Sequence, residues 1–545
     1  MEAATNLNCP ASSPSSPKQM NPMSQSCFNR KIAVLVLCLL LSGLVASRAQ
    51  TTGKYGHMFT PAAAPDDALL LKLEKIGRSL LEEGEFPACG CSSERKPAGY
   101  TYFGQLIDHD VTFDPTPFKE ANRWTAEDIK NGRTPWLDLD QVYGGGPDLS
   151  GQLYKGPKGE ERFDIADNCD LPIGKFYKLL GDQSLPLKEQ DFRDLENAII
   201  LQMHVLFMRL HNLAIERNMS CGIREVDEVD KTPFKKAARL VRWQYQYLVR
   251  NDYLTKIADI NILSHVQTHG PAFKWEPGKV FIPVEFSTAG FRFGHSAVLE
   301  EYALNQSNSF PIGKLIDLKL ATERLPPEKV IDWRHFFKVR GSTSPAAAGM
   351  NFLDMRIVPA LGNLKQYTAR LFSNDPLLDP SKASAPADPG ELPVRTLQRS
   401  AWMRVATGQD IISALKWKDK ELTSKQLLGK KCCKDQSPDK AGEALRDAGL
   451  LQKTPLFFYV LREAEVLGCG KHLGPVGSQI VADVIEGAFR FDPDWDWKVR
   501  NTWRPPEWKF PSGEPRRIEW MGDLVELLGD CRRSDSASTA KGSPP

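Results

Sequence analysis

Three short segments combine histidine with carboxylate or arginine side chains and could carry acid–base or metal chemistry. In the first, residues 104–110 (GQLIDHD), His109 stands between Asp108 and Asp110. An imidazole beside carboxylates can act as a general acid or base, or as a ligand in a metal site. The competing interpretation is an acidic surface turn in which an aspartate caps a helix. Spacing alone does not decide between the two.

The second segment, residues 191–197 (DFRDLEN), opens a long apolar stretch that contains two further histidines. Arg193 and Glu196 stand three residues apart, which also suits an ordinary ion pair on a helix surface. His204 and His211 are seven residues apart, about 10.5 Å along a helix that rises about 1.5 Å per residue. Because that separation is too long for one shared metal ion, we interpret both as structural histidines.

The third segment, residues 290–295 (GFRFGH), places His295 next to a glycine among aromatic residues. Taken alone, this setting favours a hydrogen-bonded histidine of the core over a metal ligand. The segment gains weight only in combination with the other two.

The elements that must position these segments are mainly helices, because apolar residues recur at helical spacing and strand-like alternation is scarce. The clearest patterns predict helices over residues 66–83, 195–217 and 235–253 and a strand over residues 279–285. We find no internal repeat and no long linker. We therefore expect one large, mainly α unit over residues 55–530, organised around something such as a large cofactor, and a disordered tail over residues 531–545.

Composition excludes several classes of protein. The chain has 545 residues, of which 41% are hydrophobic and 25% charged, as in ordinary globular proteins. Global disorder, collagen-like and coiled-coil classes are therefore ruled out. The 70 Lys and Arg residues against 68 Asp and Glu residues leave a formal charge of +2, which gives no electrostatic footprint for nucleic acid.

The N-terminus reads as a leader over residues 1–49. Residues 32–46 form an apolar run behind a basic flank, and small residues precede a cleavage site near Ala49. The run is shorter than the roughly 18 residues expected of a membrane-spanning helix. We predict a secretory signal and a secreted protein. The alternatives are an uncleaved anchor, which would give the protein a membrane partner, and a buried core helix.

Cysteine usage agrees with export. Eight cysteines follow the predicted cleavage site, and an even number permits disulfide bonds, although the sequence does not reveal their connectivity. Well-spaced CxxC pairs are absent from the sequence, which argues against zinc. Asn218 and Asn305 begin Asn-x-Ser sequences that could accept glycans.

Five stretches of sequence occur in an order that resembles the animal-type haem peroxidase superfamily, in its stand-alone, myeloperoxidase- and peroxidasin-like branch. They are FGQLIDHDVTFDPTP, RTPWLDLDQVYGGGPD, DFRDLENAIILQMHVLFMRLHN, FRFGHS and TPLFFYVLREAEVLGCGKHLGPVGSQIVADVI. The resemblance runs from about Gly56 to Pro505. It implies a mainly α fold: a single large haem peroxidase domain with few short strands.

The resemblance also implies roles for the histidines. His109 would be the distal histidine and His295 the proximal ligand of the haem iron. Cleavage of peroxide requires a base that moves a proton and a cation that stabilises the developing negative charge. His109 would be that base and Arg193 that cation, while Gln105 would orient small molecules in the distal pocket.

Further residues would hold haem b. In this family two carboxylates can form ester bonds to haem methyl groups, and Asp108 and Glu196 fall on those positions. The position of the methionine that forms a sulfonium link in the chloride-oxidising member is Asn197 here, which excludes that link and weakens the case for chloride oxidation.

On the proximal side, Arg292 and Arg399 would pair with haem propionates. The family's usual asparagine partner of the proximal imidazole is replaced here by Thr396, whose hydroxyl could accept from the imidazole N–H.

A calcium site is implied as well. Asp110, Asp138 and Asp140 would supply carboxylates, with Thr134 and the Trp136 carbonyl completing the ligands. Oxygen-only ligands suit a hard cation that needs 6–8 of them. Because Asp110 follows His109 directly, the cation would fix the distal histidine in place.

The function implied is reduction of hydrogen peroxide and oxidation of small phenolic, halide or thiocyanate donors through a ferryl intermediate, as in a response to oxidative stress. Fatty-acid dioxygenases of the same superfamily are an alternative, but their tyrosine lies three residues before the proximal histidine, where this sequence has Arg292. A non-catalytic extracellular adhesion protein is the second alternative. Intact His109, Arg193 and His295 argue against it.

Overall fold

The structure is a computed structural model that describes twelve parts of the chain. They are residues 53–82, 93–114, 116, 124–171, 193, 196–273, 275, 280–316, 324–341, 347–364, 390–430 and 437–531. The predicted leader and its apolar run lie outside these ranges, as do Cys89, Cys91, Cys432 and Cys433.

The described chain is mainly α-helical. Its α-helices are α1 Asp67–Ser79, α2 Gly99–Val111, α3 Asp140–Tyr143, α4 Ala198–Glu216, α5 Arg224–Val229, α6 Pro233–Leu248, α7 Leu254–Ile257, α8 Ile260–His269, α9 Ile312–Leu315, α10 Leu392–Trp402, α11 Gly408–Ala414, α12 Ser424–Leu428, α13 Lys440–Asp447, α14 Leu456–Leu467, α15 Pro475–Arg490, α16 Trp497–Thr502 and α17 Met521–Leu528. Two π-helical turns, Val249–Tyr253 and Phe286–Gly290, and the 3₁₀ turn Arg292–His295 complete the elements near the site.

The strands are short and form four small sheets. They are β1 Gly53–Gly56, β2 Lys130–Asn131, β3 Tyr154–Lys155, β4 Arg162–Phe163, β5 Ile282–Pro283, β6 Glu301–Asn305, β7 Asn308–Pro311, β8 Glu507–Lys509 and β9 Pro515–Arg517. β1 lies between β2 and β5, antiparallel to the first and parallel to the second. The remaining strands pair as antiparallel hairpins, β3 with β4, β6 with β7 and β8 with β9.

Some elements begin or end at residues other than the predicted ones. The helix predicted from residue 195 begins at Ala198, because the Asn197 side chain accepts hydrogen bonds from the N–H groups of Ile199 and Ile200. The helix predicted over 235–253 ends at Leu248 and continues as the π-helical turn. The predicted strand over 279–285 shrinks to β5.

Helix α4 lies at the centre of the core, packed against α2 and α6. Within the described residues it is the single helix long and apolar enough to cross a membrane, yet 83% of its apolar window is buried inside the protein. Packing against neighbouring helices therefore accounts for its apolar character.

The predicted tail begins at Cys531, which forms a disulfide bond with Cys169. Residues 532–545 lie outside the described residues. Cys469 is also disulfide-bonded, whereas Cys221 is a buried free thiol. The expectation of disulfides is thus confirmed.

The two predicted glycosylation sequences differ in exposure. Asn218 is exposed. Asn305 is only 2% exposed, and its amide nitrogen donates to the carbonyl oxygens of Glu328 and Val330. The prediction for Asn305 is therefore wrong for the folded chain, because the nitrogen that would carry a glycan is buried and hydrogen-bonded.

Candidate active site

Helix α2 presents the first predicted segment to the interior. Phe103, Leu106 and Ile107 are fully buried, so the apolar residues of the segment fix the orientation of the helix. Gly104 permits a close approach, since a side chain there would overlap the Tyr253 hydroxyl. Gln105 and His109, four residues apart, share one face of this helix.

A polar cluster forms between α2 and the start of α4. The Gln105 amide donates a hydrogen bond to Glu196, and the Asn197 amide donates to Gln105 Oε1 at 3.4 Å. His109 is 4% exposed, and its Nε2 lies 3.9 Å from Glu196 Oε1. The structure therefore brings Gln105, His109 and Glu196 together as predicted, with Glu196 within reach of the other two.

Arg193 lies against the C-terminal end of α2. Its guanidinium donates to the carbonyl oxygens of Thr112 at 2.5 Å and His109 at 3.4 Å, and it sits 4.9 Å from the centre of the Phe113 ring. Carbonyls at the end of a helix attract positive charge. Arg193 thus brings a fixed cation beside the segment that carries His109.

The third segment, which carries His295, lies on a tight turn. The π-helical turn Phe286–Gly290 leads directly into the 3₁₀ turn that ends at His295, and a side chain at Gly290 would crowd Ile480. The His295 ring packs edge-on against Phe457, with ring centres 6.0 Å apart. A Cβ added to Gly294, the residue before His295, would meet no atom within 4 Å.

His295 is a neutral imidazole with spare bonding capacity. Burial lowers its pKa to about 3, and the nearby charges of Arg292 and Arg395 act in the same direction. Its Nδ1 atom is buried and finds no hydrogen-bond partner among the residues that the structure describes. A neutral imidazole is the form that binds a metal.

An ion pair joins the two histidine segments. Arg292 donates to Asp108 Oδ2 at 2.9 Å, although the two residues are 184 positions apart. Arg292 also donates to the Ser287 carbonyl at 2.6 Å, and the Thr112 hydroxyl donates to Asp108 Oδ1 at 3.2 Å. Arg292, predicted to pair with a propionate, and Asp108, predicted to form an ester bond, therefore contact each other.

Two predicted residues on α10 make other contacts. The Thr396 hydroxyl donates to the Leu392 carbonyl at 2.8 Å, one turn earlier in the helix. This is the usual bond of a threonine inside a helix, and it replaces the expected bond with His295. Arg399 forms an ion pair with Asp114, a residue for which the sequence suggested no partner.

An acidic cluster lies behind His109. Carboxylate oxygens of Asp110, Asp138 and Asp140 all lie within 4.8 Å of one another. Asp110 is completely buried, and apart from the neighbouring Tyr245 hydroxyl its oxygens have no hydrogen-bond partner in the described part of the chain. Burial raises the pKa of Asp110 well above its usual value, and the charges of Asp138 and Asp140 raise it further. The charge of the nearby Arg133, which pairs with Asp140, acts in the opposite direction.

The loop that carries two of these carboxylates is tightly folded. The Thr134 N–H donates to Asp140 Oδ2 at 3.4 Å, the Trp136 N–H donates to Thr134 Oγ1 at 3.4 Å, and the Asp140 N–H donates to Asp138 Oδ1 at 3.2 Å. Arg133 pairs with Asp140 Oδ1 at 3.0 Å. Five predicted oxygen ligands thus share one short loop and the end of α2, and the donor set fits a hard cation.

The histidines of α4 have structural contacts, as interpreted from their spacing. His204 Nδ1 lies 2.8 Å from the Ile200 carbonyl. His211 lies between the Tyr143 hydroxyl at 3.1 Å and the Glu161 carbonyl at 3.3 Å, and burial lowers its pKa to about 3. Both rings are held by the protein itself.

Two tyrosines at the site carried no signal in the sequence. Tyr55 on β1 is buried, and its pKa is raised by burial and by Asp114, while Arg193 lowers it. Tyr253 is buried beside α2, and burial together with the charge of Asp108 raises its pKa. Both phenols therefore stay protonated at neutral pH. Tyr55 lies in a short polar stretch and Tyr253 in an apolar helix pattern, so neither stood out.

Comparison with known proteins identifies related sequences. Residues 116–350 match the sequence model of the family described as animal haem peroxidase, a range that includes Arg193, Glu196 and His295 and begins after His109. The "Peroxidase-like protein" of Margaritifera margaritifera is 22% identical over 277 residues, covering 41% of this chain and 34% of that protein. The match therefore spans about a third of the length of this relative.

Solved structures share the fold. Peroxidase A from Dictyostelium discoideum has a TM-score of 0.53 at 14% identity, covering 87% of this chain and 94% of that chain. The fatty acid alpha-dioxygenase of Oryza sativa has a TM-score of 0.52 at 14% identity, with coverages of 81% and 77%. That of Arabidopsis thaliana has a TM-score of 0.50 at 12% identity, with coverages of 87% and 76%. The predicted mainly α fold is confirmed, and peroxidases and dioxygenases share it.

Proposed function

We propose that this chain, whose residues 116–350 match the animal haem peroxidase family, is a haem-dependent peroxidase that reduces hydrogen peroxide and oxidises small donors. One observation supports the proposal above all. The Asp108–Arg292 ion pair draws the segments of His109 and His295 into one site across 184 positions. A neutral, metal-competent imidazole and a buried histidine near a carboxylate are the two parts that peroxide chemistry requires.

The residues around His295 fit a haem group. His295 would bind the iron, since its imidazole is neutral and open space lies beside Gly294. Arg292 and Arg399 would hold the propionates, each exchanging its present carboxylate partner for a haem carboxylate. Haem supplies the iron that binds peroxide and exchanges electrons with it.

His109 would move the proton. In its neutral form, Nε2 can accept a proton from the inner peroxide oxygen and return it to the outer oxygen as water forms. Glu196, 3.9 Å away, and Gln105 hold this atom within one polar cluster. Arg193 would stabilise the negative charge on the departing oxygen, because a guanidinium stays charged when buried.

We also propose ester bonds from Asp108 and Glu196 to haem b. Their carboxylates belong to the two clusters that flank His109, so each is placed at the site by its neighbours. Acidified solvent should extract haem from the double variant Asp108→Asn, Glu196→Gln and leave it on the wild-type protein. Equal extraction from both proteins would contradict the esters.

Calcium is proposed at the acidic cluster. Asp110, Asp138 and Asp140 gather three carboxylates, and the buried oxygens of Asp110 would gain a cation partner. Thr134 and the Trp136 carbonyl would complete the ligands. Because Asp110 follows His109 on α2, a bound cation would also hold the distal histidine.

The proposals for electron donor and compartment rest on the sequence. We propose phenols, iodide, bromide or thiocyanate as donors, with Asn197 in place of a sulfonium-forming methionine disfavouring chloride. The leader over residues 1–49 supports a secreted protein, and the Cys169–Cys531 disulfide bond is compatible with that compartment.

An absorption spectrum tests the main proposal. The purified, haem-replete protein should show a Soret band that changes on addition of peroxide, and it should then oxidise guaiacol. His109→Ala should keep the band and lose the oxidation, whereas His269→Ala, on an exposed helix end, should keep both. A protein without a Soret band after haem loading is not a peroxidase.

The fatty-acid dioxygenase alternative has a separate readout. The structural neighbours of this fold include such enzymes. In this chain Arg292 occupies the position of the dioxygenase tyrosine, and it forms an ion pair with Asp108. Oxygen uptake with palmitate or linoleate, in the absence of peroxide-dependent guaiacol oxidation, would favour the lipid enzyme.

A further inference from the structure

Two histidines of the chain are exposed to solvent, and they lie next to each other. The chain has nine histidines, all within the described residues, and seven of them are buried or half-buried. The exposed two are His265 and His269, which stand four residues apart on helix α8. Residues at this spacing lie one above the other on the same side of a helix. The freely accessible imidazoles of the protein are therefore gathered at one place.

The two exposed imidazole rings are close enough to bind one ion together. The ring centres of His265 and His269 are 4.4 Å apart, and the ring planes are inclined at 29°. Two nitrogens on one metal ion lie about 3 Å apart, because each metal–nitrogen bond is about 2 Å long. A small rotation of two exposed side chains is enough to bring their nitrogens to that separation.

A hydrogen bond selects the nitrogen of His269 that is available to a metal. Its Nδ1 atom lies 3.1 Å from the carbonyl oxygen of His265. A carbonyl oxygen only accepts hydrogen bonds, so Nδ1 carries the proton and donates. In the neutral ring Nε2 then holds the lone pair. Histidines that bind metals commonly have this arrangement, in which the second ring nitrogen donates to a carbonyl or carboxylate.

Helix α8 is held firmly at both ends, so the spacing of the two imidazoles is fixed. The Asp259 side chain caps its first turn, and its buried residue Val266 faces α15, against which the helix packs. Near its end, the Arg490 guanidinium donates to the carbonyl oxygens of Val266 and Gln267. The charge of Arg490 is balanced by Glu486 at 3.6 Å. A cation beside His269 therefore does not meet an uncompensated positive charge there.

We propose that His265 and His269 form a surface site for a divalent transition-metal ion, with Cu²⁺ bound most tightly. Imidazole nitrogen suits Cu²⁺, Ni²⁺ and Zn²⁺, and Cu²⁺ forms the strongest complexes of the three. Water fills the remaining positions around the ion. The proposal does not depend on the peroxidase reaction, because neither histidine belongs to the candidate active site or to the acidic cluster.

Copper titration of the full-length protein, loaded with haem and Ca²⁺, tests the proposal. Haem occupies His295, and Ca²⁺ occupies the acidic cluster, so neither competes for the added ion. With protein and Cu²⁺ both at about 100 µM, we expect one bound ion per chain. Pulsed electron paramagnetic resonance of the copper signal should show coupling to the nitrogens of two imidazoles. Absence of bound copper, or a signal without imidazole coupling, would overturn the proposal.

Three variants locate the ion. His265→Ala and His269→Ala each leave one imidazole, and each should bind Cu²⁺ about 10² times more weakly, because the second nitrogen no longer binds within the same molecule. The matched control is the double variant Ser264→His, His265→Ser. It keeps the composition of the helix but places the two imidazoles five residues apart, where they no longer share a face. Ser264 is exposed, so the exchange takes place on the surface.

The melting temperature provides a second readout. An ion that binds only the folded state stabilises it, so Cu²⁺ should raise the melting temperature of the wild type and leave that of the control variant unchanged. Each variant is also melted without metal, where all three should match the wild type because the changed side chains are exposed. Equal copper affinity in the wild type and the control variant would show that the ion binds elsewhere and would refute the site.

Discussion

His211 and His295 are both kept neutral by their surroundings, yet the protein completes the bonding of only one of them. Burial lowers the pKa of each imidazole to about 3. His211 has partners at both ring nitrogens, from Tyr143 and Glu161. His295 Nδ1 has none within the described chain. His211 is therefore fully hydrogen-bonded within the core, whereas His295 keeps a ring nitrogen without a partner in the described residues.

The acidic cluster extends this contrast to carboxylates. The buried Asp110 has only the Tyr245 hydroxyl beside its carboxylate in the described residues, whereas one oxygen of Glu463, also fully buried, accepts from the N–H groups of Val476 and Gly477 at 2.9 and 3.3 Å. Buried polar groups without protein partners are candidate ligands for something that the chain itself does not provide. Four predictions test the contrast, beginning with the largest expected effect.

Replacement of His295 should remove haem binding. We expect His295→Ala to lose the Soret band and peroxidase activity to background, because the neutral imidazole that would bind iron is gone. Far-UV circular dichroism should remain that of the wild type. In the matched variant His211→Ala, we expect a lower melting temperature with the Soret band retained. Loss of the band in His211→Ala alone would reverse the comparison.

Replacement of His109 separates haem binding from proton transfer. We expect His109→Ala to retain the Soret band and to react with peroxide about 10²–10⁴ times more slowly, the usual contribution of a positioned acid–base group. Stopped-flow absorption measures this rate directly. A band lost together with the rate would mean that His109, and not only His295, holds the cofactor.

Removal of the cation should weaken the distal side. Prolonged chelation should lower both activity and melting temperature, since three buried carboxylates would then repel one another with Arg133 as the neighbouring positive charge. For a cation present at about 100 times its Kd, the lost stabilisation is about 2.7 kcal/mol. Added Ca²⁺ should restore the melting temperature of the wild type but not that of Asp110→Asn. Full activity in protein shown by elemental analysis to be calcium-free would contradict the site.

Acid should destabilise the fold partly through His211. Its pKa is about 3 in the folded chain and about 6.5 when unfolded, so the unfolded state binds more protons between these values. The stabilising contribution is present above pH 6.5 and is lost as pH falls toward 3. Between pH 7 and 5 it amounts to about 2 kcal/mol, or a few degrees in melting temperature. The His211→Gln variant should show a shallower fall than the wild type, and His269→Gln an unchanged one.

The sequence predicted local features better than distant contacts. Apolar periodicity predicted α1, α4 and α6 to within a few residues, because the pattern of a helix depends on residues three or four positions apart. The end points moved where a cap such as Asn197 took over the first N–H groups. The joining of His109 to Glu196 could also be anticipated, although through family resemblance and not through spacing.

Contacts between positions far apart in the chain could not be predicted from the sequence. Nothing in the pattern paired Arg292 with Asp108 or Arg399 with Asp114. The partner of Thr396 could not be predicted for a different reason. Its residue type shows that the hydroxyl can form a hydrogen bond, but the helical backbone supplies the acceptor, the Leu392 carbonyl.

The disulfide bond between Cys169 and Cys531 makes most of the chain a covalent ring. Its ends are separated by 362 positions, and the ring includes Arg193, His295 and Arg399, while His109 lies on the segment before it. A protease that cuts once within the ring leaves the pieces covalently joined. On a non-reducing gel such a nicked protein would keep the mass of the intact chain, and it would separate into fragments only after reduction.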